Sequence, residues 1–159
     1  MLNKKSATAV TIATGVLLSF VTIGSARSAP QSALTIRITN IRNAKGEVHA
    51  EVCPQASFLS DDCRYWASAP ARAGVLLLTV RGVPPGRYAV QAFHDENGNH
   101  RVDRALFGIP REGIAFSNDA PIRFGPPKWA DAVFAFTGGE QTIQVKTRYF
   151  LGPPGPASR

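Results

Sequence analysis

The sequence predicts an all-β chain folded as one antiparallel β-sandwich domain. Three observations predict it. Apolar and polar side chains alternate at period two in several short segments. Gly and Pro, 14 and 12 of the 159 residues, punctuate those segments as turn formers. Beyond residue 28, no stretch sustains the 3.6-residue apolar spacing of an amphipathic helix. Many short strands separated by turns pack as a sandwich or a small barrel.

The elements follow in order. LTIRITN, Leu34–Asn40, places Leu34, Ile36 and Ile38 on one face and Thr35, Arg37 and Thr39 on the other. A turn at Asn43–Gly46 leads into GEVHAEVC, with Val48, Ala50 and Val52 inward and His49 outward, and the two strands are expected to form a hairpin. Pro54–Gly74 is irregular and admits a short helix near Asp61–Trp66. Val75–Val83 is a strongly apolar strand. Pro84, Pro85 and Gly86 then force a turn. In the next strand Tyr88, Val90 and Ala92 alternate with Ala89, Gln91 and Phe93. FGIPREGIAFSNDA reads as a structured loop. ADAVFAFTGG and Glu140–Phe150 read as a final hairpin turning at Gly138–Gly139. The domain spans 30–150, and the Pro/Gly-rich tail 151–159 is expected to be disordered.

The N-terminal 28 residues have the form of a secretory signal peptide. Lys4 and Lys5 precede an uncharged apolar run, Ala7–Gly24, followed by small residues that fit cleavage after Ala26 or Ser28. Removing 28 of 159 residues leaves 131, enough for one domain, and places the protein in the periplasm or outside the cell. No later stretch could span a membrane. Loss of Lys4, Lys5 and Arg27 lowers the formal charge from +7 to +4. The remaining arginines are scattered, which argues against nucleic acid as a partner. Cys53 and Cys63, an even pair close in sequence in an exported chain, are expected to form a disulfide.

Three further stretches carry a resemblance. GVPPGRYAVQAFHDENGNHRVD, FGIPREGIAFSNDA and DAVFAFTGGEQTIQVKTRY resemble the bacterial exported proteins grouped as domain of unknown function 2141, over roughly Leu34–Tyr149. The ordered pattern is P-G-x-Y, H-D-x-N-x-N, G-x-P-x-E-G and F-S-N. The resemblance implies an exported β-sandwich and supplies no catalytic residue. The P-G-x-Y strand is also similar to those of transthyretin-like and carboxypeptidase-regulatory-like sandwiches. An immunoglobulin-like or transthyretin-like sandwich is therefore expected. Where relatives place Gly after the second Asn of the loop, this chain has His100.

HDENGNHRVD, His94–Asp103, is the candidate cation loop. With Asp95 as position 1, Asn97 is 3, Asn99 is 5, the Arg101 carbonyl is 7 and Asp103 is 9, as in the first nine positions of a calcium loop. Position 6 is His100 rather than Gly, and position 12 is Leu106 rather than the bidentate Glu. So few carboxylates would make a weak Ca²⁺ site, with Kd of roughly 10⁻⁴–10⁻³ M. The competing reading is a set of Asx-turns around a tight Asn97-Gly98 turn. His94 and His100 match no standard zinc spacing. Glu112 reads as a loop-tying carboxylate, and Ser117 and Asn118 as turn formers, since no G-x-S-x-G elbow surrounds Ser117. Phe107, Phe116, Phe124, Trp129, Phe134 and Phe136 read as core or loop anchors more readily than as a sugar-stacking platform.

The functional expectation is a non-catalytic exported binding or interaction module of the cell envelope. Its partner would be an envelope protein, a polysaccharide or a small ligand. Calcium is the one cofactor the sequence admits. The loops Asp95–Asp103 and Leu106–Asn118 would form the working end. The alternative is an enzyme or accessory subunit acting on an envelope polymer or a small metabolite.

Overall fold

The computed structural model describes residues 32–156. The expected signal peptide, both expected cleavage positions and residues 157–159 lie outside the described residues. Eight strands are present: β1 Ala33–Ile41, β2 Glu47–Cys53, β3 Tyr65–Pro70, β4 Gly74–Arg81, β5 Gly86–Asp95, β6 Gly113–Phe116, β7 Phe134–Phe136 and β8 Glu140–Lys146. A four-residue helix, α1, covers Trp129–Ala132. One sheet has the order β4-β1-β8; the other runs β3-β2-β5-β6, with β7 also paired to β5. The pairings are antiparallel except β1 with β8, which is parallel. Among the described residues no helix is long and apolar enough to cross a membrane.

The period-two pattern fills the core. Leu34, Ile36 and Ile38 of β1 meet Val48, Ala50 and Val52 of β2 and Tyr88, Val90 and Ala92 of β5, closed by Leu78, Val80 and Val145. A second apolar cluster lies around Ala89, Phe116, Ala120 and Ala132, with Phe58 and Trp129 packed edge to face against it. The Cys53–Cys63 disulfide is formed, with Cα atoms 5.1 Å apart. It ties the end of β2 to the segment entering β3.

Five expectations about elements are corrected. β1 and β2 do not form a hairpin; they lie in different sheets. Alternation shows which face of a strand is buried but not which strand lies beside it. The chain leaves β1 through a register irregularity at Thr39/Ile41, where Asn40 takes φ 63°. Gly46, at φ 64°, then brings it beneath the Asp95 carbonyl, where any Cβ would overlap that oxygen. β7 and β8 likewise separate, to β5 and β1, across Gly138 and Gly139 at φ 86° and 75°. The helix near Asp61–Trp66 is absent. Tyr65, Ala67 and Ala69 instead alternate inward along β3, an edge strand that tolerates its terminal Pro70. The loop after Gly108 contains β6, too short to show a period. The tail expected to be disordered packs as far as Pro156. Arg42 donates to the Leu151 carbonyl, and Gly155 lies against Asn40.

Opening the disulfide is expected to lower stability by about 2–3 kcal/mol, from the entropy of a loop this size. Urea unfolding of Cys53→Ala/Cys63→Ala beside the oxidised protein measures it. Coincident curves would show that the bridge adds nothing.

Candidate functional site

The strand β5 ends in two buried polar residues, His94 and Asp95. The His94 Nε2 lies 2.8 Å from the Lys45 carbonyl, which can only accept, so Nε2 carries the proton. Its Nδ1 then accepts from the Tyr149 hydroxyl at 2.7 Å, and that hydroxyl accepts the Arg42 backbone N–H at 3.0 Å. Burial pushes the Tyr149 phenol up to about 12. Arg42 stacks over the Tyr149 ring and makes a two-point ion pair with Glu96, which also accepts from Asn43. The hydrogen bond to Arg42 holds the Glu96 carboxyl below its ordinary range. This network staples the β1–β2 crossing to the end of β5.

The Asp95 carboxylate has no exposed surface and turns into the loop that follows. Gly98 and Asn99 donate backbone N–H groups to Oδ1 at 2.7 and 3.2 Å, and His100 donates to Oδ2 at 2.7 Å. Burial pushes this carboxyl up, but the N–H groups outweigh it and hold it low. Asn97 Oδ1 accepts from Asn99 N–H, and Asn99 Oδ1 from Arg101 N–H. Both amide NH₂ groups donate to Asp103 Oδ2, at 2.7 and 2.9 Å. Gly98 and His100 have φ 73° and 60°. His100 thus occupies the left-handed conformation that Gly would adopt more easily.

Glu112 approaches from the start of β6. It is 4 % exposed, and its Oε2 accepts from Asp103 N–H at 3.3 Å. Its Oε1 is buried without a hydrogen-bond partner. Burial, reinforced by the charges of Asp95 and Asp103, raises this carboxyl to about 7. Gly113 follows because a Cβ there would overlap the Tyr149 ring. The ligating atoms of Glu47, Asp95 and His100 lie within 4.8 Å of one another, whereas Asp95, Asp103 and Glu112 stand wider apart. His100 Nδ1 is 3.0 Å from Glu47 and 76 % exposed.

Ser117 is buried. Its Oγ accepts Val90 N–H at 2.9 Å and donates to the Ala132 carbonyl at 2.5 Å, away from solvent. Asn118, at φ 57°, donates to the Asp131 and Val133 carbonyls. These two residues lash β6 to α1.

A groove of about 1060 Å³ runs over the outer face of the larger sheet. Its floor is a row contributed by neighbouring strands. His49 of β2 stacks on Trp66 of β3 and lies against Phe93 of β5, with centroids 5.3 Å away in each case. Glu51 meets His49 at 3.1 Å and Gln91 at 2.6 Å. Arg101, Arg104, Phe107, Arg123 and Phe124 stand along the walls. Phe107 is 91 % exposed and Phe124 wholly so, which corrects the reading of both as core or loop anchors; Phe116 and Phe136 are buried. This groove went unread in the sequence because its residues come from outward positions of separate strands. The signal was present in Trp66, His49 and Phe93, large side chains at positions the alternation assigns to solvent.

A family profile described as "Uncharacterized protein conserved in bacteria (DUF2141)" matches residues 36–144. The chain belongs to this family. Comparison with curated proteins and with solved structures finds no significant match. The DUF2141 match runs from within β1 to within β8, so it takes in both sheets, the loop after β5 and the floor of the groove. The motif residues His94, Asp95, Glu112, Gly113, Ser117 and Asn118 all bind one part of this framework to another.

Two outcomes are expected. Ser117→Ala leaves the buried Val90 N–H unpaired and should cost about 1–3 kcal/mol in urea unfolding; a loss below 0.5 kcal/mol would contradict this account. In chelator, the raised carboxyl of Glu112 favours the folded state fully below its ordinary value of 4.5, and that contribution is lost as pH rises through about 7. The melting temperature should therefore fall from pH 5 to 8 more steeply for wild type than for Glu112→Gln. Parallel profiles would assign the slope to other groups.

Proposed function

We propose that the chain is an exported, non-catalytic binding module of the cell envelope, whose outer groove takes a strand of polysaccharide. The observation that carries this reading is the row Trp66–His49–Phe93 flanked by exposed Phe107 and Phe124. Large aromatic rings left in solvent beside a concave surface mark a binding site more often than a packing error. Ring faces suit the apolar faces of sugars. Glu51, Gln91, Arg101 and Arg104 offer planar hydrogen-bonding groups at the rim. The Asp95–Asp103 loop belongs to this reading as a weak cation site at the root of one wall. Disulfide and sandwich are compatible with life outside the cytoplasm.

One feature favours a second reading, an enzyme or accessory subunit acting on an envelope polymer. His49 and Glu51 form a paired imidazole and carboxylate inside the groove, the arrangement of a base and its orienting partner.

Sedimentation with insoluble peptidoglycan and with chitin tests the binding reading. The protein should pellet with at least one polymer. Trp66→Ala/Phe107→Ala/Phe124→Ala should weaken retention about tenfold or more with an unchanged melting temperature, since each stacked ring contributes about 0.5–1.5 kcal/mol. Equal retention of the variant, or none by wild type, would remove the polysaccharide groove. Release of soluble fragments that stops in His49→Gln would favour the second reading.

A further inference from the structure

We propose that Glu112 completes a calcium site with Asp95, Asn97, Asn99 and Asp103, standing in for the carboxylate that the loop lacks at its twelfth position. This inference rests on reading the loop as a cation site, and it adds the ligand that makes such a site more than weak.

The first of the loop's two departures from a calcium loop is resolved by the backbone. His100 keeps the left-handed φ of 60° that the sixth position needs. The bonds from Asp95 to the N–H groups of the fourth to sixth positions therefore form without glycine there. The second departure is resolved by another segment. Nine residues beyond Asp103, Glu112 returns to the loop at the head of β6, where its Oε2 accepts from the Asp103 N–H. The chain between is pinned back on itself, with Arg111 N–H on the Asp103 carbonyl at 2.9 Å and Ala105 N–H on the Ile109 carbonyl at 2.7 Å.

The observation that points to a ligand is the Glu112 Oε1. It is buried, it has no hydrogen-bond partner, and it belongs to a residue 96 % shielded from solvent, beside the charges of Asp95 and Asp103. A carboxylate so placed either takes up a proton or, when ionised, is compensated by a cation. Arg101 is largely exposed and reaches Asp103 Oδ1 only at 3.5 Å, while Arg42, whose charge also bears on Glu112, is held in its two-point pair with Glu96. The donor set is all oxygen: three carboxylates, two amide oxygens and the Arg101 carbonyl. Such a set suits a hard cation with six to eight ligands, and its irregular layout suits Ca²⁺ better than strictly octahedral Mg²⁺. With bonds of 2.3–2.6 Å, an ion would have to draw the three carboxylates, which are not clustered within 4.8 Å of one another, to within about 5 Å. The ion would join both ends of the excursion Arg104–Arg111, which carries Phe107 onto the groove wall.

Calorimetric titration of chelator-stripped protein with CaCl₂, paired with melting curves, tests this. Wild type should bind one Ca²⁺ and melt several degrees higher in millimolar Ca²⁺. Glu112→Gln should bind at least about tenfold more weakly, and Asp103→Asn likewise. If Glu112→Gln does not fold, Glu112→Asp decides. It keeps the charge but withdraws the carboxylate by one methylene, so affinity falls for a ligand and holds for a bystander. Wild-type affinity in Glu112 variants that otherwise bind Ca²⁺ would overturn the role of Glu112 and leave the loop site standing. No calorimetric or thermal response in wild type would overturn both. An equal response to Mg²⁺ would overturn the assignment to calcium.

Discussion

The buried carboxylate of Asp95 is the constraint on which the working end of the molecule depends. A carboxylate without solvent must be surrounded by donors. Here three successive-region backbone N–H groups supply them, and they can do so only if the chain after β5 curls immediately around the side chain. The left-handed residues at Gly98 and His100 are the geometric consequence of that curl. Just above, the Asp95 carbonyl leaves room for no side chain at position 46, so glycine stands there. One residue thereby fixes both the loop it begins and the crossing that passes beneath it.

From that point order spreads outward in two directions. Through His94, the sheet end is tied to Tyr149 and thence to Arg42 and Glu96, a chain of hydrogen bonds in which each proton has one defined direction. Through Asp103 and Glu112, it reaches the excursion that carries Phe107. The groove floor sits on the opposite face of the same strands. The inward side of β5 holds the core, and its outward side holds Gln91 and Phe93. Core and groove thus share a strand but use alternate residues of it.

Much of this was legible in the sequence, and the rest was hidden for physical reasons. The inward faces of β1, β2 and β5 follow directly from alternation, and the Cys53–Cys63 bridge follows from spacing. Strand partners do not follow, because a pleated strand presents the same two edges whatever lies beside them. The chain's crossings at Arg42–Gly46 and Gly138–Gly139 therefore looked like hairpin turns. Glu112 could be read as tying a loop, but nothing local shows that it meets Asp103; only the folded excursion between them brings the two together. Phe107 and Phe124 were misjudged for another reason. Hydrophobicity predicts burial on average, and these two rings on the groove wall are where that average fails.

The parallel pairing of β1 with β8 sets the order of assembly. β1 is the middle strand of its sheet, and one of its edges stays open until the eighth strand arrives, more than a hundred residues later in the chain. The larger sheet can gather from segments closer in sequence, but the smaller one closes only through a pairing that joins the first strand to the last. Such closure is slow, because a long stretch of chain must be confined before the contact returns any free energy. Until then Ile36 and Ile38 sit in an unfinished layer. A chain built in this way cannot complete its smaller sheet until β8 is available to lie along β1.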